Sequence, residues 1–129
     1  MERRVINPWK WQDNLGFVQA NEVTDARRLL ICSGQTSVDE NGAPMHAGDM
    51  AAQFNKAIDN VETVLKAAGM DLTNIVKITV YTTDVDAFIG ASMANQARIA
   101  GMKFASTLIG VTRLAFPALM VELEVTAVA

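Results

Sequence analysis

One cysteine, one histidine, three prolines and no basic run longer than two residues mark what this 129-residue chain has little of. The single cysteine, Cys32, excludes an intrachain disulfide and fits a reducing compartment, so a cytoplasmic location is expected. One His and one Cys cannot build a zinc site. The one loop that opens like a calcium site, at Asp39, carries Pro44 where such a loop requires glycine, so no metal is expected. The longest apolar stretch, Leu114 to Val121, is eight residues and contains Pro117, which excludes a transmembrane helix. Residues 7–13, Asn-Pro-Trp-Lys-Trp-Gln-Asp, do not form the apolar region of a signal peptide. The net charge is −3 and the lysines and arginines are scattered, which argues against nucleic acid as the main partner. Neither a Gly-x-Ser-x-Gly elbow nor a phosphate-binding glycine pattern occurs.

Half of the residues are apolar and 19% are charged, a composition that predicts one globular domain over residues 1–129. A lone domain of this size buries roughly 68% of its unfolded surface. The positive mean hydropathy is high for that, and points to association with further copies of the chain.

Asp49 to Ala68 predicts a helix. Phe54, Ala57, Ile58, Val61, Val64, Leu65 and Ala68 recur at helical spacing, Asp49 suits the N-terminal end, and Gly69 supplies a stop. Val85 to about Ala100 predicts a second, weaker helix with Val85, Phe88, Ile89, Met93 and Ala97 inward. Phe17–Val23 and Leu29–Ser33 read as strands joined by a connection of hairpin length, and Asp39–Gly42 as a turn. Ile75–Tyr81 alternates with period two, with Val76, Ile78 and Val80 on one face. Strands at Ser106–Val111 and Leu119–Val128 close the chain, and a short strand near Val5 completes the pattern. The order predicts an α+β fold, one mixed sheet with two helices on one face, whose other face needs covering by subunit association.

Glu122 and Glu124 are the most informative polar residues. The period-two rule puts both carboxylates on one face, roughly 6.5–7 Å apart, with Val121, Leu123 and Val125 on the other. Neighbouring carboxylates beside apolar surface suit general acid/base chemistry, and a solvated strand face explains the same pattern. Ser33-Gly34-Gln35 ends an apolar strand, where a hydroxyl and an approachable backbone N–H can meet a small ligand; from these residues alone a plain strand-ending turn is the more ordinary reading. Cys32 follows Leu29-Leu30-Ile31 and reads as a small core residue rather than half of a catalytic pair with His46. Trp9-Lys10-Trp11 could stack a base but reads better as packing anchors.

Ile31-Cys32-Ser33-Gly34-Gln35, the helix from Ala51-Ala52-Gln53 to Ala68-Gly69, Ile75–Tyr81 and Val121-Glu122-Leu123-Glu124-Val125 occur together in an order that resembles the Rid (RidA/YjgF) family. The resemblance runs from about Phe17 to the end. It implies a chorismate-mutase-like fold assembled as a homotrimeric barrel, with ligand clefts between subunits. It also implies an enamine/imine deaminase that hydrolyses reactive 2-imino acids without cofactor or metal. By this resemblance Ser33 and Gly34 match the ligand-contacting Ser-Gly, and Glu122 the glutamate that positions water. Elsewhere the pattern departs: Phe17 stands at the archetype's Tyr, Ser92 at its cleft Asn, Ser106 at its carboxylate-gripping Arg, and Leu108 at its cleft Cys.

The Arg-to-Ser exchange matters most, because a bidentate guanidinium–carboxylate pair has no counterpart in one neutral hydroxyl. The sequence therefore predicts a non-archetypal Rid protein acting on an imine or enamine other than a standard 2-imino acid. Glu122 is its catalytic residue, and Ser33, Gly34, Phe17, Ser106, Leu108 and Ser92 bind the substrate. The alternative is a trimer that binds a small metabolite without turnover; an endoribonuclease-like activity fits the acidic balance least.

Overall fold

The computed structural model describes residues 1–129. In chain order the elements are β1 (Glu2–Ile6), β2 (Ala20–Thr24), β3 (Leu29–Ile31), β4 (Gln35–Thr36), α1 (Met50–Ala67), β5 (Ile75–Thr82), α2 (Val85–Ala94), α3 (Gln96–Ile99), β6 (Ala105–Gly110) and β7 (Val121–Val128). A single 3₁₀ turn, Leu72–Asn74, leads into β5.

The helix α1 follows its sequence closely. Asp49 accepts a hydrogen bond from the Ala52 amide at 3.0 Å, satisfying one of the free donors of the first turn. Gly69 takes a φ of +71°, and the Met70 amide donates to the Leu65 carbonyl, the closure a left-handed glycine permits. Phe54, Ala57, Ile58, Val61 and Leu65 are buried as expected; Val64 and Ala68, at the stripe's margin, are half-buried. Gln53 joins the buried face, a polar residue the hydrophobic pattern passes over. Its amide donates to the carbonyls of His46 (3.2 Å) and Ala118 (2.8 Å), and its oxygen accepts from the Met120 amide at 2.8 Å. With its donors and acceptor engaged, burial carries little penalty and ties α1 to the approach of β7.

The main sheet runs β3-β7-β5-β6, with β4 also paired to β7; β5 and β6 are parallel and the other pairs antiparallel. The core lies between this sheet and the helices, with Val121, Leu123 and Val125 of β7 facing Phe54, Val61 and Leu65 of α1 within one buried cluster. This is the mixed α+β architecture expected.

Three local expectations are corrected. The segments around Phe17–Val23 and Leu29–Ser33 do not pair as a hairpin. Instead β2 pairs with β1 in a separate two-stranded sheet, joined to the main sheet through a bridge between Val18 and Ala105, while β3 pairs with β7. The amides of Arg27 and Arg28 bond to the Ala129 carbonyl, so the chain turns toward its own C-terminus rather than back on β2. In β5 the register slips between Ile75 and Lys77, and this bulge puts Ile75 rather than Val76 into the core. Side chains of the small sheet satisfy the carbonyls it frees: Arg3 bonds that of Ile75 at 2.9 Å and Asn21 that of Val76 at 2.9 Å.

The helix expected from Val85 to about Ala100 breaks at Asn95, whose amide donates to the Ala91 carbonyl at 2.8 Å. Beyond it Arg98 of α3 turns onto α1, donating to the Asn55 carbonyl at 3.0 Å and pairing with Asp59. Of the expected stripe only Phe88 is buried; Val85, Ile89, Met93 and Ala97 are exposed, and Ala91 is buried instead. Phe88 meets Phe54 edge to face, with centroids 5.1 Å apart. Beneath Ile89 and Met93 lies open space rather than packed side chains.

Candidate functional site

Alternation along β7 divides the candidate residues. Val121, Leu123 and Val125 are 0%, 3% and 1% exposed, so Glu122 and Glu124 project from the helix-free face. Glu122 is half-buried and stands in register between Thr36 of β4 and Tyr81 of β5; Glu124 is exposed and stands beside Thr79. The Tyr81 hydroxyl lies 3.3 Å from a Glu124 carboxylate oxygen. Lost hydration, then the Glu124 charge and hydrogen bond, then the Glu122 charge raise the Tyr81 pKa above the ordinary phenol value. On the same face Lys77 donates to the Thr107 hydroxyl.

Gly34 and Glu122 touch. A Cβ on residue 34 would stand 2.0 Å from a Glu122 carboxylate oxygen, so only glycine lets that carboxylate lie where it does. Ser33, just before it, is exposed. Thus Ser33, Gly34 and Glu122 form one group on the helix-free side. Glu124 shares the strand face but bonds Tyr81 instead.

Phe17, Ser92, Ser106 and Leu108 form another group. All four line a cavity of about 420 Å³ between the helices and the sheet. Ser106 and Leu108 pair in register with Ile78 and Val80, which share this inner face. The floor includes Phe54, Ile58, Ile78, Val80, Leu123 and Val125; Leu15, Ile89, Met93 and Leu108 are exposed at the rim. Asn14, Ser92, Gln96 and Ser106 are its only polar lining residues, and none is charged. Arg113 is not among them; its guanidinium bonds the carbonyls of Leu114 and Ala115. Within one chain the two groups therefore lie on opposite faces of one sheet.

The remaining candidates divide as chemistry suggests. The Cys32 thiol is buried in the core and burial raises its pKa, the opposite of what activates a sulfur nucleophile. Trp9 and Trp11 are exposed rather than buried anchors, although Trp11 meets Phe17 edge to face at 6.0 Å. No three His, Cys, Asp or Glu side chains converge in a metal-binding arrangement. No helix is long and apolar enough to cross a membrane. The resemblance points to Phe17, Ser92, Ser106 and Leu108 as cleft residues, but sequence reasoning missed the depth of the cavity behind them and the Tyr81–Glu124 contact. The alternating Lys77, Thr79 and Tyr81 hint at the second; nothing in the helical periodicity reveals the first.

Residues 15–129 match the family profile described as Endoribonuclease L-PSP. Human 2-iminobutanoate/2-iminopropanoate deaminase is 35% identical over 86 residues, 67% of this chain and 61% of that protein. The chain thus spans about three fifths of that relative's length. Protein DfrA of Myxococcus xanthus is 33% identical over 89 residues, 68% of this chain and 67% of that one. Among solved structures, YyfB of Yersinia pestis, a protein of unknown function of the conserved Rid family, superposes with a TM-score of 0.86 and 31% identity over 100% of both chains. RidA from an Antarctic Psychrobacter superposes with a TM-score of 0.70 and 25% identity over 87% of each.

Proposed function

This chain belongs to the Rid family, and from that premise we propose that it is a cofactor-free deaminase hydrolysing an uncharged imine or enamine. The observation that carries the reading is the pairing of a carboxylate held over a glycine with an uncharged cavity bearing two serines. In the reaction, water adds its oxygen to the imine carbon, the carbon–nitrogen bond breaks, and a carbonyl compound and ammonia leave. No electrons are transferred and water is the only co-reactant. Glu122 orients the water and takes its proton; Ser33 and the Gly34 backbone hold the substrate beside it.

The two groups of residues meet only if copies of the chain associate. On the helix-free side Leu29, Ile31 and Ile109 are 65%, 74% and 39% exposed, apolar surface that water does not favour. A homotrimer covers this face and seats the Glu122–Gly34 edge of one copy against the Phe17, Ser92, Ser106 and Leu108 mouth of the next. Ser106, where the family archetype grips a carboxylate with Arg, disfavours 2-imino acids. The same exchange supports a second reading, a trimer that binds a small metabolite without turnover. RNA cleavage fits least: the cavity lacks cations and Glu122 and Glu124 line the opposite face.

The test is ammonia release from imines generated in situ, a neutral ketimine by an amine oxidase set against 2-iminobutanoate made from 2-aminobutanoate by an amino-acid oxidase. The deaminase accelerates the neutral imine, and Glu122→Gln lowers that rate by about 10²–10⁴-fold, the usual contribution of a positioned base. Ser106→Arg shifts preference toward 2-iminobutanoate. Efficient wild-type hydrolysis of 2-iminobutanoate alone would overturn the substrate assignment. Ligand binding without turnover of either imine would leave the metabolite-binding reading.

A further inference from the structure

The inner cavity is far larger than an imine group needs. At about 420 Å³ it falls within the range of small-molecule sites and is two to three times the ~150 Å³ void that holds one benzene. Its polarity is graded. Asn14 and Gln96 are exposed at the rim and Ser92 and Ser106 are half-buried, whereas the depth is walled by buried Phe54, Ile58, Val61, Ile75, Val80 and Val125. Such a gradient suits a molecule with a polar head at the mouth and an apolar tail directed inward. Because no lining side chain is charged, nothing there compensates a buried carboxylate or ammonium. The mouth passes between Leu15 and Phe17 before β2, Ile89 and Met93 of α2, and Leu108 of β6. Met93 is unbranched and exposed, able to shift as a tail enters.

We propose that this cavity is a tail pocket, and that the molecule it receives is neutral and carries a medium-length alkyl chain or a fused aromatic pair. That its head is an imine or enamine rests on the function proposed above; the pocket itself does not. Hydrolytic deamination of such a substrate yields a medium-chain or aryl ketone or aldehyde, with ammonia as the other product.

Ketones are stable stand-ins for the imine head. Calorimetric titration of the wild-type protein with 2-butanone, 2-hexanone, 2-octanone and 2-decanone reads the pocket without requiring turnover. Affinity should rise by about fourfold per added methylene until the cavity is full, then level off. Octanoate, matching 2-octanone in carbon number but charged, should bind at least tenfold more weakly. Val80→Phe and Val61→Phe add volume from two separate walls; each should weaken 2-octanone by tenfold or more and leave 2-butanone unchanged. Affinity indifferent to chain length, or 2-octanone binding unaltered by both substitutions, overturns the tail pocket. If a substitution prevents folding, the wild-type chain-length series and a crystal structure with 2-decanone decide alone. Turnover of neutral imines at rates indifferent to chain length, without graded ketone binding, overturns the pocket and leaves the deaminase standing. Graded ketone binding with no imine turned over supports the pocket and removes the deaminase.

Discussion

The two faces of the main sheet come from the same strands and hold opposite chemistry. Inward, Ile78, Val80, Leu123 and Val125 wall an uncharged cavity; outward, Lys77, Thr79, Tyr81, Glu122 and Glu124 form a polar field edged by exposed Leu29, Ile31 and Ile109. A strand's two-residue period is enough to create both surfaces, and it forbids a single subunit from bringing Glu122 and Ser106 together. A carboxylate that must act on a molecule in the cavity mouth needs the mouth of another copy. The separation of the two faces is thus the physical reason for expecting an oligomeric site.

The largest expected effect breaks the outward face at its tightest point. Gly34→Ala places a methyl where the Glu122 carboxylate lies, so the carboxylate must move. Turnover of a neutral imine should fall by about 10²-fold or more, approaching the loss at Glu122→Gln. Ketone affinity should fall by less than about tenfold, because the Gly34 edge meets only the polar head and the apolar wall that holds the tail is unchanged. Equal losses of turnover and ketone affinity would show that the substitution disturbs binding as a whole rather than the Glu122 carboxylate.

A second pair of substitutions separates folding from assembly. Leu65→Ala, fully buried on the helix side, should cost about 2–5 kcal/mol in a denaturant titration. Ile31→Ser, on the exposed outward edge, should leave the unfolding free energy of the isolated chain within about 0.5 kcal/mol. It should, however, shift sedimentation from three times 13.9 kDa toward one. A wild-type chain that sediments as a monomer at micromolar concentration would remove the shared site.

The smallest effect concerns Tyr81, the only tyrosine in the chain. Its raised pKa means that the phenol ionises above the ordinary value near ~10, and ultraviolet absorbance of the phenolate measures this directly. Glu124→Gln should lower the midpoint by removing one of the charges that oppose ionisation. The sign for stability follows: the folded state holds the proton longer than the unfolded chain. This contribution is therefore complete below the unfolded phenol pKa and is lost as pH rises through the folded one. A midpoint unchanged in Glu124→Gln would show that lost hydration and the Glu122 charge set the shift without Glu124.

Much of this was legible beforehand. The ends of α1 could be read from Asp49 and Gly69, its inner face from Phe54 to Leu65, and the opposed faces of β7 from alternating valines and glutamates. Ser33-Gly34 and Glu122 stand out in the sequence and by resemblance, but the contact of Gly34 with Glu122 does not, because it depends on β4 lying beside β7. The hydrophobic pattern does not reveal Gln53, because its burial is made tolerable by carbonyls up to 65 residues away.

What the residue order determined by itself is local: helical and strand periods, caps and the uneven spread of charge arise among neighbours a few positions apart. What only the tertiary structure decided is which segments meet. Pairing of β2 with β1, the slip at Val76, the break at Asn95 and the open volume under α2 all turn on contacts between distant residues. Periodicity says which way a side chain points, but the partner it finds there depends on how the whole chain fills space, and a cavity is volume that no residue fills.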